Sequence, residues 1–169
     1  MRYFYRMTRP LPAHAPDDVD AVTDAVLAAS RLLVAVSARS IAAVDDTITI
    51  PQFRVLVVLD AKGPQKLVSV AATLGVNPST ATRTVDRLVN AGLIDRQTSP
   101  TSRRELVVAL TRSGRTVVRN VTKRRRAQIA EIVGEMSPTA RRGLIRALTA
   151  FTTAGGESTN VDRAEPIWL

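Results

Sequence analysis

The sequence predicts a mainly α-helical fold with one small β-hairpin, an α+β combination. Apolar residues recur every three or four positions in six segments, and several of these segments begin at a capping residue with a proline close behind it. Two short β-prone runs, at 93–97 and 106–110, enclose the polar stretch QTSPTSRREL. The periodicity therefore predicts six helices, and the paired runs predict a hairpin between the fourth helix and the fifth.

Length and hydropathy indicate a single soluble unit. A chain of 169 residues has room for one compact core. It contains no uninterrupted run of about 18 apolar residues that could cross a bilayer. Residues 1–18 lack the apolar centre of a secretory signal. We therefore expect a protein without a membrane segment, located in the cytoplasm.

The composition weighs against catalysis. The chain has no cysteine, which excludes disulfides and thiolate metal sites. Its one histidine, His14, lies in a proline-rich tail, which disfavours imidazole acid–base chemistry and most zinc sites. Neither glycine-rich nucleotide fingerprint is present. We expect a protein that is not an enzyme and that binds neither a metal nor a cofactor.

The positive charge is concentrated in one third of the chain. Residues 77–126 hold twelve basic residues against three acidic ones, an excess equal to the whole net charge of +9. A localised basic block predicts a polyanionic partner, with nucleic acid the leading candidate. A solvated face that is merely basic is the alternative.

The first predicted helix is apolar on more than one face. We expect it to pack both within the chain and against a second copy, and packing in the chain's own core alone is the alternative. Its main seam repeats at spacings of three and four through Val19, Val22, Val26, Ala29, Leu33, Val36, Ser40 and Ala43.

A helix-turn-helix pattern comes next. A helix opened by Thr49 and Pro51 leads to the short apolar segment LVSVAATLGV, and Asn77-Pro78 then starts another helix. The inward positions of this last helix are Ala81, Val85, Leu88 and Val89, and its outward positions are Ser79, Thr82, Arg83, Asp86 and Arg87. Because the N-terminal half of such a helix enters a major groove, its hydroxyl and guanidinium groups are candidates for contacts with bases and phosphates.

The order of elements, and several stretches of sequence, resemble the MarR family of winged-helix transcriptional regulators. The stretches are PQFRVLVVL, GVNPSTATRTVDRLVNAGLIDR and SRRELVVALTRSGR, which are similar to the family's second helix, its recognition helix and its wing with the start of the next helix. The resemblance is specific over residues 45–115 and rests on pattern alone in the flanking helices.

This resemblance implies a homodimer that binds a pseudo-palindromic site in double-stranded DNA. It divides the chain into a tail at 1–17, a dimerisation helix at 18–46, a winged helix-turn-helix lobe at 47–110, dimerisation helices at 111–153 and a tail at 154–169. Onto this sequence the DNA contacts carry over as Ser79, Thr80, Thr82 and Arg83 for bases, Arg87 for a phosphate, and Arg103 and Arg104 in the wing. Thr80 as a helix cap only, and Arg87 as an ion-pair partner near Asp86, are the structural alternatives.

The wing departs from the family's pattern. The family usually carries Asp-x-Arg there, with the aspartate orienting the arginine, whereas this chain has Ser102, Arg103 and Arg104. A serine offers only a neutral hydrogen bond in place of a charge-assisted one. Either the wing is looser, or Glu105 takes over part of the orienting role.

The resemblance also implies a probable repressor whose operator affinity is lowered by a small lipophilic or aromatic effector. The pocket would involve Ser37, Ile41, Phe53, Arg54 and Arg115. A nonspecific architectural DNA-binding protein and a winged-helix protein-interaction module are the rival hypotheses. The run Lys123-Arg124-Arg125-Arg126 is interpreted as a solvated helix face beyond direct DNA contact, with Arg125 near the apolar stripe.

Overall fold

A computed structural model describes residues 18–99 and 102–156. Both tails lie largely outside the described residues, His14 among them. Within those residues the chain forms six helices and one two-stranded antiparallel sheet, which confirms the predicted fold class. In chain order they are α1 (Val19–Ala42), α2 (Ile50–Lys62), α3 (Leu67–Leu74), α4 (Pro78–Asn90), β1 (Ile94–Ser99), β2 (Ser102–Leu110), α5 (Arg112–Gly134) and α6 (Pro138–Ala154).

The capping residues that the sequence predicted start the helices. The Thr49 hydroxyl accepts from the Gln52 backbone N–H, and the Gln52 side chain accepts from the Thr49 N–H at 2.7 Å, so α2 opens with a capping box. Asn77 accepts from the Thr80 N–H at 2.8 Å to open α4, and Ser137 caps α6 in the same way. Such a cap typically contributes about 1 kcal/mol.

The turn of the helix-turn-helix depends on Gly75. This residue adopts the left-handed conformation, with φ at 66°, directly after α3. There its N–H donates to the Ala72 carbonyl, and the Val76 N–H donates to the Ala71 carbonyl, at 3.1 Å. Two bonds to the last turn of α3 therefore let α4 begin after only three intervening residues.

Helix α2 is the centre of the core. The sequence predicts an apolar face on it through Phe53, Val55, Leu56, Val58 and Leu59, and the structure buries these residues and Val57 in addition. The reason is tertiary, because α2 contacts α3, α4, α5 and β2 and is therefore covered on more than one side. The buried cluster that surrounds it comprises Ile41, Ile48, Val70, Val85, Leu88, Leu93, Ile94, Val108, Leu110, Val118 and Val121.

The hairpin is tied to the core at its root. Ile94 pairs with Leu110 and Thr98 with Leu106, and the register shifts between Thr98 and Ser99 near the tip. Val108 also exchanges backbone bonds of 3.0 and 2.8 Å with Gln65, in the loop after α2. Four successive residues of β2, at 107–110, are buried for this reason, so that end of the strand does not alternate.

The chain divides into two compact units, Met1–Ala35 and Val36–Leu169. In the second unit the end of α1 is buried at Val36, Ser37, Ser40 and Ile41. In the first, the α1 side chains of the predicted seam are largely exposed, with Val19 at 76% and Val22 at 52%. Of the predicted seam, Val36 and Ser40 are therefore buried in the chain's own core.

By length and composition alone, α1 could span a bilayer. The mean hydropathy of its most apolar 18-residue segment is 1.6, and 11% of that segment is buried within the chain. Asp24, Ser30 and Arg31 interrupt the apolar sequence of this helix, so it contains no uninterrupted apolar run of about 18 residues. A long apolar helix that packs against another protein chain has the same length and composition.

Candidate nucleic-acid interface

Helix α4 is amphipathic, with one face in the core and the other toward solvent. Ala81, Val85 and Leu88 are buried, which seats the helix against α2 and α3. Ser79, Arg83 and Arg87 are exposed on its other side, while Thr80, Thr82 and Asp86 are half-buried. Of the five residues of this group that we predicted as DNA contacts, four thus lie in the N-terminal half of one helix, and Arg87 lies in its last turn.

The exposed hydroxyl groups of α4 already donate within the protein. Ser79 Oγ donates to Asn77 Oδ1 at 2.9 Å, and Thr82 Oγ1 donates to the Pro78 carbonyl at 2.8 Å. Their oxygen lone pairs remain available as acceptors. In a major groove the matching base donors are the amino groups of cytosine and adenine.

Two contacts bear on the structural alternatives for α4 residues. The cap of α4 is Asn77, and Thr80 contributes only the N–H that the cap accepts. Asp86 forms an ion pair with Arg96 on β1, while Arg87 forms no ion pair with any described residue. The Asp86–Arg96 pair was not predicted from the sequence, although the two residues are only ten positions apart.

The two wing arginines lie close to the hairpin tip. Ser99 and Ser102 pair across it, so the backbone of Arg103 and Arg104 enters β2 directly after the turn. The side chains of residues 102–105 lie outside the described residues. Whether Glu105 replaces the missing wing aspartate stays a prediction.

Thr111 fixes the root of the wing to the end of the recognition helix. Its hydroxyl donates to the Gly92 carbonyl at 2.8 Å and accepts from the Gly114 N–H at 3.0 Å. A Cβ on Gly114 would lie 2.2 Å from the Leu93 carbonyl oxygen, so this turn of α5 approaches the chain as only glycine permits. One residue therefore caps α5 and holds it against the segment that follows α4.

The five candidate pocket residues differ in their surroundings. Ile41 and Phe53 are buried in the same apolar core, and Ser37 is buried as well. Arg54 is half-buried, whereas Arg115 is exposed and donates to the Leu110 carbonyl at 2.8 Å. Arg115 instead helps to line a surface depression of about 160 Å³ beside Leu59, Asp60, Gly63, Pro64, Ala109 and Leu110.

In the C-terminal half of α5, one polar contact joins this helix to the buried end of α1. Ser40, fully buried on α1, donates to Oε1 of Gln128 at 3.1 Å. Arg125 is half-buried nearby in sequence, and desolvation lowers its pKa. Lys123, Arg124 and Arg126 are exposed, as expected for a solvated face.

Comparison with known proteins agrees with this geometry. The model of the MarR family matches residues 48–106. The crystal structure of RV1404 from Mycobacterium tuberculosis is 63% identical, covers 86% of this chain and 100% of that one, and superimposes with a TM-score of 0.79. The HTH-type transcriptional regulator YfiV of Bacillus subtilis (strain 168) is 26% identical over 106 residues, which is 63% of this chain and 66%, just under two thirds, of YfiV.

A solved structure with lower identity has the same fold. Streptococcus pneumoniae FabT, crystallised in complex with DNA, is 22% identical, with a TM-score of 0.66 over 80% of this chain and 96% of that one. The chain belongs to the MarR family of DNA-binding transcriptional regulators.

Proposed function

We propose that this protein is a homodimeric repressor that recognises a pseudo-palindromic site in double-stranded DNA through α4 and the wing. The observation that carries the proposal is the division of α4. Its buried face fixes the helix in the core, and its opposite face presents Ser79, Arg83 and Arg87 without ion pairs to described residues. An arginine in that position can donate two hydrogen bonds to guanine, which is a strong base-specific contact.

The wing supplies the second contact. Arg103 and Arg104 follow the tip of a hairpin whose root is fixed to the end of the α4 segment by Thr111. In this proposal Arg104 enters the minor groove beside the site read by α4, and Arg103 contacts the backbone. The structure of FabT in complex with DNA supports DNA as a ligand of this fold.

Exposed apolar surface supports the proposal of a dimer. Helix α6 buries none of its residues, and Ile145, Leu148 and Phe151 on it are 66, 52 and 55% exposed. Side chains of this size contribute roughly 1.5–3 kcal/mol each when they are fully buried. A second copy that covers α6 and the exposed part of α1 would remove this surface from water, and it would give the protein two recognition helices for two half-sites.

Selection from a random duplex library tests the proposal. The full-length protein should enrich one motif with two inverted half-sites, centred about 10 base pairs or a multiple apart. A labelled duplex with that motif is then competed with bulk DNA at two salt concentrations. An operator reader keeps a gap between specific and nonspecific affinity of about 10³-fold or more, whereas an architectural protein shows no gap and enriches no motif.

The effector response and the cytoplasmic location belong to the same proposal. A small lipophilic or aromatic ligand would act near Ser37, Ile41, Phe53, Arg54 and Arg115. Ile41 and Phe53 are packed in the core, so such a ligand would have to bind where two chains meet or where the core opens. Screening aromatic acids for release of the selected duplex tests this part separately.

A further inference from the structure

Thr111 lies where the wing, the segment after α4 and the start of α5 meet. β1 begins at Ile94 and β2 ends at Leu110, and these two residues pair at the root of the hairpin. Thr111 follows directly, and its hydroxyl donates to the Gly92 carbonyl at 2.8 Å, with the Leu93 carbonyl at 3.2 Å. Its backbone N–H also donates to the Leu93 carbonyl, at 3.1 Å. Both strands of the wing therefore leave from a point that Thr111 ties to the segment after α4.

The Thr111 hydroxyl has two roles, and they make different demands on the side chain. It accepts from the Gly114 N–H at 3.0 Å, which caps α5, and it donates to the Gly92 carbonyl. Capping needs only an acceptor, which an aspartate also supplies. Donation needs a hydrogen, which a hydroxyl has and an ionised carboxylate lacks. The contact with the segment after α4 therefore requires a donor, whereas the cap does not.

Two sides of the hairpin are anchored to the rest of the DNA-binding lobe. On the β2 side, Gln65 in the loop after α2 exchanges backbone bonds of 3.0 and 2.8 Å with Val108. The β1 side is held at its root by Thr111 and, further along the strand, by the ion pair of Asp86 with Arg96, which water screens. Loss of the Thr111 hydroxyl therefore weakens the β1 side and lets the hairpin turn about its β2 anchor.

We propose that Thr111 is a positioning residue for DNA recognition, whose hydroxyl sets the direction of the wing relative to α4 and so places Arg104 beside the site that α4 reads. This inference rests on the proposed function. The six residues of β1 span about 20 Å at roughly 3.3 Å per residue. A turn of about 10° at the root would therefore move the wing tip by about 3.5 Å, close to the rise of one base pair, about 3.4 Å. A small change of direction is enough to take Arg104 off its base pair.

Spin labels measure the direction of the wing in the free, full-length protein. The chain has no cysteine, so Asn90→Cys and Thr98→Cys place one label at the exposed end of α4 and one on the exposed side of β1. Labelled chains are mixed with excess unlabelled chain, so that the distance within one chain is recorded. The distance distribution should be the same with Thr111 and with Thr111→Ser. It should shift or broaden with Thr111→Asp, whose carboxylate cannot donate to the Gly92 carbonyl.

Thr111→Val separates the two roles of the hydroxyl, because it keeps the shape of threonine and loses both the cap and the donor. It should shift or broaden the distribution as Thr111→Asp does. An unchanged distribution in either variant overturns the inference: in Thr111→Asp it would assign the effect to the cap, and in Thr111→Val it would assign the effect to the new charge. Urea denaturation should give Thr111→Asp a midpoint close to that of the wild type, because aspartate caps a helix as well as threonine does.

A double-mutant cycle with Arg104→Ala measures the consequence for DNA binding. Residues 104 and 111 are about 23 Å apart along β2 at roughly 3.3 Å per residue, a separation at which substitutions normally act independently. On the selected duplex, Arg104→Ala should lower the affinity by about 10-fold in the wild type and in Thr111→Ser, and by roughly 2-fold or less in Thr111→Asp. Additive effects contradict the inference. If selection yields no motif, the proposed function fails, and the spin-label distances still decide the role of Thr111.

Discussion

Asp86 on α4 forms an ion pair with Arg96 on β1, which joins the recognition helix to the first strand of the wing. Both side chains are a little under half exposed, at 45 and 46%. Water screens a pair at this depth, so it contributes little to stability, and its main effect is to link α4 to β1.

A double-mutant cycle measures this link. Asp86→Asn and Arg96→Gln should each lower the free energy of unfolding by no more than about 1 kcal/mol, as measured by urea denaturation. The coupling should be larger in binding to the selected duplex than in stability, because the pair orients the wing. Equal and additive effects on both quantities would show that the pair is only a surface contact.

Arg83 and Arg87 should separate base reading from phosphate binding. Arg83→Ala should relax the preference at one base pair of each half-site by about 1–3 kcal/mol. Arg87→Ala should instead weaken binding to all sequences alike and reduce the salt slope by about 0.9 for each recognition helix. The two variants are matched, since both residues are exposed arginines one helical turn apart. A uniform loss of affinity in Arg83→Ala contradicts the assignment of Arg83 to bases.

Local features of the fold were predictable from the sequence, and contacts between distant elements were not. Asn77 and Ser137 indicate where helices start, because an N-terminal cap depends only on the three residues that follow it. The burial of Val57 in α2 was missed because it depends on α3, α4, α5 and β2 packing around the helix. The ion pair of Asp86 was missed for a similar reason, since its partner is positioned by the turn after Gly92 and by the strand register.

Gly114 shows the same limit. Nothing in the letters around it distinguishes it from Gly143, which is also inside a helix. Gly114→Ala should destabilise the protein by about 1–3 kcal/mol, because its Cβ would meet the Leu93 carbonyl and the chain would have to shift. Gly143→Ala is the control, with nothing within 4 Å of its Cβ, and should raise stability by about 0.5–1 kcal/mol. Thermal denaturation of both variants checks the difference, and similar melting temperatures would contradict the close approach.

The exposed apolar face of α6, formed by Ile145, Leu148 and Phe151, should control dimer formation. Leu148→Glu places a charge in the middle of the proposed dimer surface, and we expect a monomer with reduced affinity for the two-half-site duplex. Analytical ultracentrifugation measures the first effect, and binding to a single half-site, which should change little, controls for misfolding. Thr149→Glu is the matched control, because it adds the same charge at the next exposed position. A Leu148→Glu protein that remains dimeric would remove α6 from the interface.

Replacing Ser102 with the aspartate of the family's pattern tests how Arg104 is oriented in the wing. Ser102→Asp supplies the carboxylate that the family's pattern places before Arg104, and a charge-assisted bond is roughly twice as strong as a neutral one. We expect it to sharpen discrimination between the selected duplex and bulk DNA, because Arg104 is held in one orientation. Its nonspecific affinity should fall, since an added negative charge is repelled by phosphates. Arg104→Ala in the same background should abolish the gain. If Ser102→Asp weakens specific and nonspecific binding equally, the aspartate acts only through charge, and Arg104 does not depend on residue 102 for its orientation.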